Sequence, residues 1–505
     1  MSASREKKKR FEERSDGQEK RQVRARESFK AKKRKKLITG IVAIVVVVLL
    51  VVGIVFNSTL FYTGVPAVKV GSRGYTAADF NYEYFSSYYN TYTSFSNTYG
   101  EYASLLLDPS QPLNKQQYSD TQTWADFFEE SALNQLQQLT ILNDMADADG
   151  WNMTAEQKAQ VDSTINSLRS GASSNNYTDF KAYLRTLYGK GITEDRLRSL
   201  LDESYRATYY SQHLTETWQN SFTDEEKSAY YDTVRDDYDL ITYMSYDVDA
   251  SVPEDSAMDS SAAREKAKAT ADEIASARDQ ASFADVVQLF APEDQKSAYE
   301  DPNACLHRLT RPDFISNSEA RGWLTDQARS AGDTKVIDNG SSYTVLLFLD
   351  RNGNEYKLAN FRCITVPVEA DADSGEVTDI TRYEARTKAE GIVAEYNTDP
   401  TEDKFAELAD QYDTTGQTLF ENASMGSLSV PEVEAYIYDE NTQVGDVETF
   451  YSGEKYYIVY PLEPGEQYNL SIAEGLMVSE KYNSTIEEAR DRYPLKKLLA
   501  FKFTK

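Results

Sequence analysis

The chain has 505 residues, with 54 Lys and Arg against 82 Asp and Glu and a formal net charge of −28 at pH 7, a balance that repels nucleic acid and other polyanions. Two cysteines and two histidines, with no CxxC or HExxH spacing, leave no zinc site, and a Ser-His-Asp triad would have to use one of two isolated histidines. No phosphate loop, dinucleotide fingerprint or nucleophile elbow is present, so no cofactor and no metal are expected, and the length allows two to four domains.

Residues 1–36 hold 16 Lys and Arg against 6 Asp and Glu. This basic tail precedes Leu37–Phe56, LITGIVAIVVVVLLVVGIVF, a run without a single charge. Twenty such residues make about 30 Å of helix, the thickness of a hydrocarbon core, and predict one spanning helix with the basic end inside. The following NSTLFYTGVP offers neither a small-residue cleavage site nor a Cys for a lipid. An uncleaved signal anchor is the expectation, with a cleaved signal of unusual length as the alternative. The basic run reads as an orientation signal that also attracts anionic lipid, not as a nucleic-acid site.

Beyond the apolar run, Ala67–Val70 reads as a short strand, and Thr76 caps a helix that begins AADFNYEYF. From Thr121 to Ala148 the residues Trp124, Phe128, Ala132, Leu136, Leu139 and Leu142 recur at helical spacing, and Gly150 stops the helix. Capping boxes at Thr154/Gln157 and Thr223/Glu226 start two more, with helices over Tyr177–Tyr188 and Glu194–His213 between them. Residues 67–235 therefore form a mostly helical domain. Thirty-six tyrosines include a cluster over 80–102 that suits either a core or a surface for unfolded chains. His213 falls in a helical pattern and His307 in a loop-like stretch.

Past Arg235 the pattern changes to strand and helix, and it occurs twice. Tyr238–Val248 is a strand, Ala262–Ala277 and SFADVVQLF are helices, and 341–350 is a strand. Asn360–Val368 is again a strand, Thr381–Tyr396 and 403–413 are helices, and 454–463 is a strand. The closing segments share a lead-in, AGDTKVIDNGSSYTVLLFL and VGDVETFYSGEKYYIVYPL, so 236–352 and 357–465 read as two copies of one unit. In the tail, 466–505, Ser471–Tyr493 reads as a helix that can pack back on the helical domain.

The order VKVGSRGYTAADF, a long helix ending DADGWNMTAEQ, FKAYLRTLYGKGITEDRLRSLL and FTDEEKSAYYD resembles the N-terminal chaperone domain of the SurA and PrsA foldases. The second copy resembles a parvulin-type peptidyl-prolyl isomerase domain through FAELADQYD, VPEVEAYIYDENTQVGDVETF and KYYIV; SFADVVQLF and AGDTKVID carry a weaker likeness in the first. The resemblance implies an α+β protein: a single transmembrane helix, a mostly helical chaperone domain, and two parvulin-like α/β domains with small antiparallel sheets. It implies a single-pass protein of a bacterial cell membrane whose partners are the membrane, through Leu37–Phe56, and unfolded or folding exported polypeptides outside.

The family places two histidines in its site, one on the first strand and one on the last. Cys363 and Tyr457 stand at those positions in the second copy, and Tyr243 and Thr344 in the first. Asp413 or Thr414 falls near the family's acidic or thiol position. Leu428, Val433 and Tyr438 fall near its proline-binding groove and are equally well explained as core. The function implied is a membrane-anchored foldase with degenerate catalytic sites. An active isomerase with a substituted site, and a non-enzymatic envelope scaffold, are the alternatives. Whether Cys305 and Cys363 pair is open, since nothing in the sequence sets their distance.

Overall fold

The computed structural model describes residues 7, 33, 35–37, 39–48, 59–252, 258–371 and 374–505. They divide into two compact units, Met1–Thr217 with Lys481–Lys505, and Trp218–Glu480.

The expected membrane anchor is overturned. Among the described residues no helix is long and apolar enough to cross a membrane. Within Leu37–Phe56 the longest described helical run is 39–48, which at 1.5 Å per residue covers about 15 Å, half of a hydrocarbon core. Residues 49–56, and most of the basic tail, lie outside the described residues. The single-pass topology and the membrane location drawn from that run do not stand.

In the first unit, β1 (Pro66–Val70) and β2 (Arg73–Thr76) form a hairpin around Gly71, whose φ of +57° suits the tight turn. A C-terminal strand, Leu495–Lys497, completes a three-stranded antiparallel sheet on the other edge of β1. Thr76 caps the helix α1 (Ala77–Tyr99) with a capping box to Asp79, and Thr123 caps α2 (Trp124–Ala148) in the same way with Asp126. The second helix starts three residues later than its apolar pattern suggests, because the cap and not the pattern decides the first turn. Phe80 and Tyr84 of α1 bury against Trp124, Phe128 and Leu136 of α2, each large side chain worth about 1.5–3 kcal/mol. The helices α3 (Ala155–Ser174), α4 (Phe180–Tyr188) and α5 (Glu194–Gln219) pack on the opposite side of α1 around Val161, Ile165, Leu184 and Leu197.

The tyrosine cluster thus divides between the start of α1 and its end with the turn that follows. Tyr82 and Tyr84 are core, whereas Tyr99 and Tyr102, at 50% and 71% exposure, face solvent. The last residues of the chain belong to this unit: Phe501 packs edge-on to Phe80 at 4.9 Å between ring centres, and Lys497 and Lys505 reach Glu129 at 2.7 and 2.6 Å.

The second unit opens with α6 (Asp224–Tyr238) and holds two four-stranded antiparallel sheets. The strands are β3 (Leu240–Asp249), β4 (Leu306–Thr310), β5 (Thr334–Asp338) and β6 (Ser342–Asn352) in one, and β7 (Ala359–Pro367), β8 (Leu419–Ala423), β9 (Glu448–Ser452) and β10 (Lys455–Pro461) in the other. Their spatial orders, β4-β3-β6-β5 and β8-β7-β10-β9, are the same order, which gives the sequence repeat its structural meaning. Each sheet carries two helices on one face: α7 (Ser260–Ile274) and α8 (Gln280–Phe290) over Met244, Val345 and Leu347, and α9 (Asp379–Tyr396) and α10 (Glu402–Tyr412) over Ile364, Val366 and Ile458. The central strands and these helices match their apolar patterns to within three residues. The outer strands β4, β5, β8 and β9 carry no such pattern, because an edge strand half exposed to water has no continuous apolar face to show. His307, expected in a loop, is on one of them.

Removing residues 491–505 uncovers β1 and strips Phe501 from Phe80; we expect a loss of about 3–5 kcal/mol from the first unit. A denaturant titration followed by Trp124 fluorescence tests it, and an unchanged midpoint would make the C-terminal strand an ornament.

Candidate functional site

In β7 the residues alternate between the two faces of the sheet. Ile364 and Val366 bury against the helices, and Phe361, Cys363 and Thr365 face the other way. The β7–β10 ladder pairs Cys363 with Val459 and Thr365 with Tyr457, so Cys363 and Tyr457 lie diagonally on that second face. A short helix, α11 (Pro431–Ile437), with Pro431 in its first turn, sets Val430 and Val433 against Phe361, Cys363 and Val459. The loop before it is held by Glu434, whose Oε2 accepts from the N–H groups of Gly426 at 3.0 Å and Leu428 at 3.3 Å. The result is a groove of about 580 Å³ whose walls include Phe361, Cys363, Thr365, Leu428, Val433 and Tyr457.

Four of the six positions expected from sequence meet there: Cys363, Tyr457, Leu428 and Val433. Tyr438 does not. Its hydroxyl donates to the Ala423 carbonyl at 2.5 Å and its ring meets Tyr356 edge-on, outside the groove lining. Asp413 does not line the groove either. Its carboxylate accepts from the N–H groups of Thr365 at 2.9 Å, Thr415 at 2.7 Å and Gly416 at 2.8 Å, and from the Thr415 hydroxyl at 2.8 Å, so it ties the end of α10 to the edge of β7. Phe361 and Phe420, stacked at 4.6 Å, belong to the site and were not expected; the alternation in NFRCITV was the available signal.

Burial pushes the Cys363 thiol up to about 12, with the Thr365 hydrogen bond working against it and the Asp413 charge with it. Burial, then the nearby Cys363, also raises Tyr457. Both groups therefore stay protonated at neutral pH, each with a proton to offer to a hydrogen bond. Cys305 and Cys363 are both free, each buried in a different sheet's core, which closes the question of their pairing.

The register also aligns the first copy. Thr344 pairs with Asp247 as Tyr457 pairs with Thr365, so Ser245, not Tyr243, occupies the place of Cys363. A slip of two residues keeps a side chain on the same face, so alternation alone does not expose the error. Tyr243 instead corresponds to Phe361, and it stacks on His307 at 4.5 Å as Phe361 does on Phe420. Ser245 Oγ lies 2.8 Å from His307 Nε2, and Asp247 hydrogen-bonds Thr344. Ala291 caps α8 where Asp413 caps α10.

Asp413 makes a test of this geometry. Burial pushes its carboxyl up, but the donors of Thr365, Thr415 and Gly416 outweigh that and hold it below the usual range. A carboxyl lowered from an unfolded value of about 3.9 stabilises the fold above that pH and stops doing so as pH falls through the folded value. Asp413→Ala is expected to cost about 1–3 kcal/mol at pH 7. The gap from the parent chain should close under acid, in denaturant titrations between neutral pH and about pH 3; a gap that stays constant would remove the role of the charge.

No protein-family model matches the chain, and no curated protein matches it. Among solved structures it is similar to the foldase protein PrsA from Streptococcus pneumoniae str. Canada MDR_19A, at 15% identity over 59% of this chain and 98% of that one, with a TM-score of 0.17. It is also similar to the foldase protein PrsA from Lactococcus lactis, at 10% identity over 70% of this chain and 100% of that one, with a TM-score of 0.19. At such TM-scores the likeness carries no argument about fold or function.

Proposed function

We propose that the chain is a foldase-type protein that binds unfolded or folding polypeptides, and that its second sheet carries an attenuated peptidyl-prolyl isomerase groove. The observation that supports this is the meeting of Cys363, Tyr457, Leu428 and Val433, named from a resemblance to parvulins, in one groove of about 580 Å³. Phe361, Leu428 and Val433 offer apolar walls for a proline ring, while the Cys363 thiol and Tyr457 hydroxyl supply two donors at its edge.

Rotation about an X-Pro bond meets a barrier of about 20 kcal/mol and takes tens of seconds unassisted. It forms and breaks no covalent bond. A site accelerates it by holding the ring in a dry apolar wall and hydrogen-bonding the twisted amide better than the planar one. Neither the thiol nor the phenol brings a charge to the twisting amide, so in this reading binding is retained while transition-state stabilisation is small. In this reading the helical unit and the groove both serve to hold chains, and catalysis is residual.

The test is a prolyl-isomerisation assay on the full chain with short X-Pro peptides, beside peptide binding. Expected is weak turnover that changes less than about threefold in Cys363→Ala and in Tyr457→Phe, because little rests on either group. Leu428→Ala with Val433→Ala should weaken peptide binding by on the order of tenfold through lost apolar contact. Strong turnover abolished by either single substitution would mean an active site rebuilt around a thiol and a phenol. Failure to bind any proline peptide would overturn the reading of the groove.

A further inference from the structure

Beside the first turns of α1, among the described residues, lie the carboxylates of Asp79, Glu83 and Glu203 and the guanidinium groups of Arg73 and Arg196. Arg196 Nε lies 2.6 Å from Asp79, and Arg73 lies 2.6 Å from Glu203. Glu83, one turn along α1 from Asp79, is left over. It is 6% exposed, and its Oε1 has no hydrogen-bond partner among the described residues. A buried carboxyl without a partner is costly to keep.

Glu83 also lines a cleft of about 340 Å³ between α1, α2 and α5, with walls that include Ser86, Asn90, Thr91, Ser131, Gln135 and Ser204. Hydroxyl and amide groups stand where packed helices would ordinarily present apolar side chains. Asn90 and Gln135 are exposed and form the mouth; Glu83 is at the closed end.

We propose that this cleft binds a primary ammonium group, with Glu83 as its counter-charge and the oxygens of Ser86, Asn90 and Ser131 as further acceptors. The choice follows from donor and acceptor arithmetic. An ammonium has three donors and no acceptor, and it complements one carboxylate ringed by neutral oxygens. An anion meets Glu83, and a hard divalent cation asks for six or more oxygens with several carboxylates among them. The cleft lies in the helical unit and is independent of the isomerase groove.

Burial, reinforced by the charges of Asp79 and Glu203, pushes Glu83 up to about 8. The groups around it are Asp79 and Tyr82 on α1, Arg196 and Glu203 on α5, Arg73 on the adjoining hairpin, and the uncharged Ser131 and Gln135 on α2. At neutral pH the carboxyl carries a proton, which passes to solvent when an ammonium takes its place. Affinity therefore rises with pH up to about 8 and then levels.

The experiment titrates the full chain at pH 7 with ethanolamine, and separately with an end-blocked Gly-Lys-Gly peptide, by calorimetry in two buffers of different ionisation heat. Expected is saturable binding of at least one probe with close to one proton released per site. Ethanolamine alone would assign a free small amine; the peptide, with or without ethanolamine, would assign lysine side chains of a bound polypeptide. Glu83→Gln should weaken binding at least tenfold. Asn90→Ala with Ser131→Ala, which leaves the carboxyl in place, should weaken it several-fold and guards against a folding defect in the first variant. No saturable binding of either probe, undiminished binding in Glu83→Gln, or binding without proton release would overturn the proposal.

Discussion

The antiparallel register of β7 against β10 is the constraint on which the candidate site depends. Seven consecutive pairs, from Lys455 with Pro367 to Pro461 with Phe361, run without a bulge. Because side chains alternate with a period of two, a slip of one residue would carry Cys363 and Tyr457 into the helix layer and turn Ile364 and Ile458 out to water. The apolar core beneath α9 and α10 holds the register, and the register in turn composes the groove on the opposite face. Asp413 fixes the third side of this arrangement by closing the strand edge at Thr365.

The same scaffold occurs twice with different chemistry on it. Both copies keep a stacked ring pair at one position, Phe361 with Phe420 and Tyr243 with His307, which is a structural demand of neighbouring strands and not a mark of function. What differs is the polar content: a thiol and a phenol in one, a serine, an imidazole and an aspartate in the other. At the start of the first copy, Asp239 is fully buried and receives Arg235 at 3.1 Å, Arg351 at 3.2 Å and the Tyr231 hydroxyl at 3.0 Å, and Asn354 bonds Tyr231 at 2.8 Å. A charge so buried persists only with such partners, and they tie α6 to the end of β6 and the turn that follows it.

The helical unit follows a different logic, that of long helices with caps and aromatic seams. Its tyrosines answer to position along α1. The first turns are core, and the last turns, beyond the reach of α2's apolar stripe, meet water. Among the described residues its buried polar side chains have partners except at Glu83, where the packing of three helices leaves room and a carboxyl stays at the bottom of it.

Much of the fold was legible in the sequence because it rests on local rules. Thr76, Thr154 and Thr223 announce helix starts since a capping box is a four-residue device, and the central strands and their helices announce themselves by period. The internal repeat was readable from its shared lead-in. Of the site, Cys363, Tyr457, Leu428 and Val433 came from the resemblance and do converge. The rest needed the tertiary structure. Edge strands such as His307's, and the pairing of Leu495–Lys497 with β1, depend on a partner distant in the chain. So do the removal of Tyr438 and Asp413 from the groove lining, which their own hydrogen bonds decide, and the assignment of Ser245 over Tyr243, which only the ladder settles. The apolar run Leu37–Phe56 is the opposite case, where composition suggested a span and the described helix was too short to make one. Local hydrogen bonds and hydrophobic period are written in neighbouring residues; register, burial and the pairing of charges are properties of residues that meet only when the chain has folded.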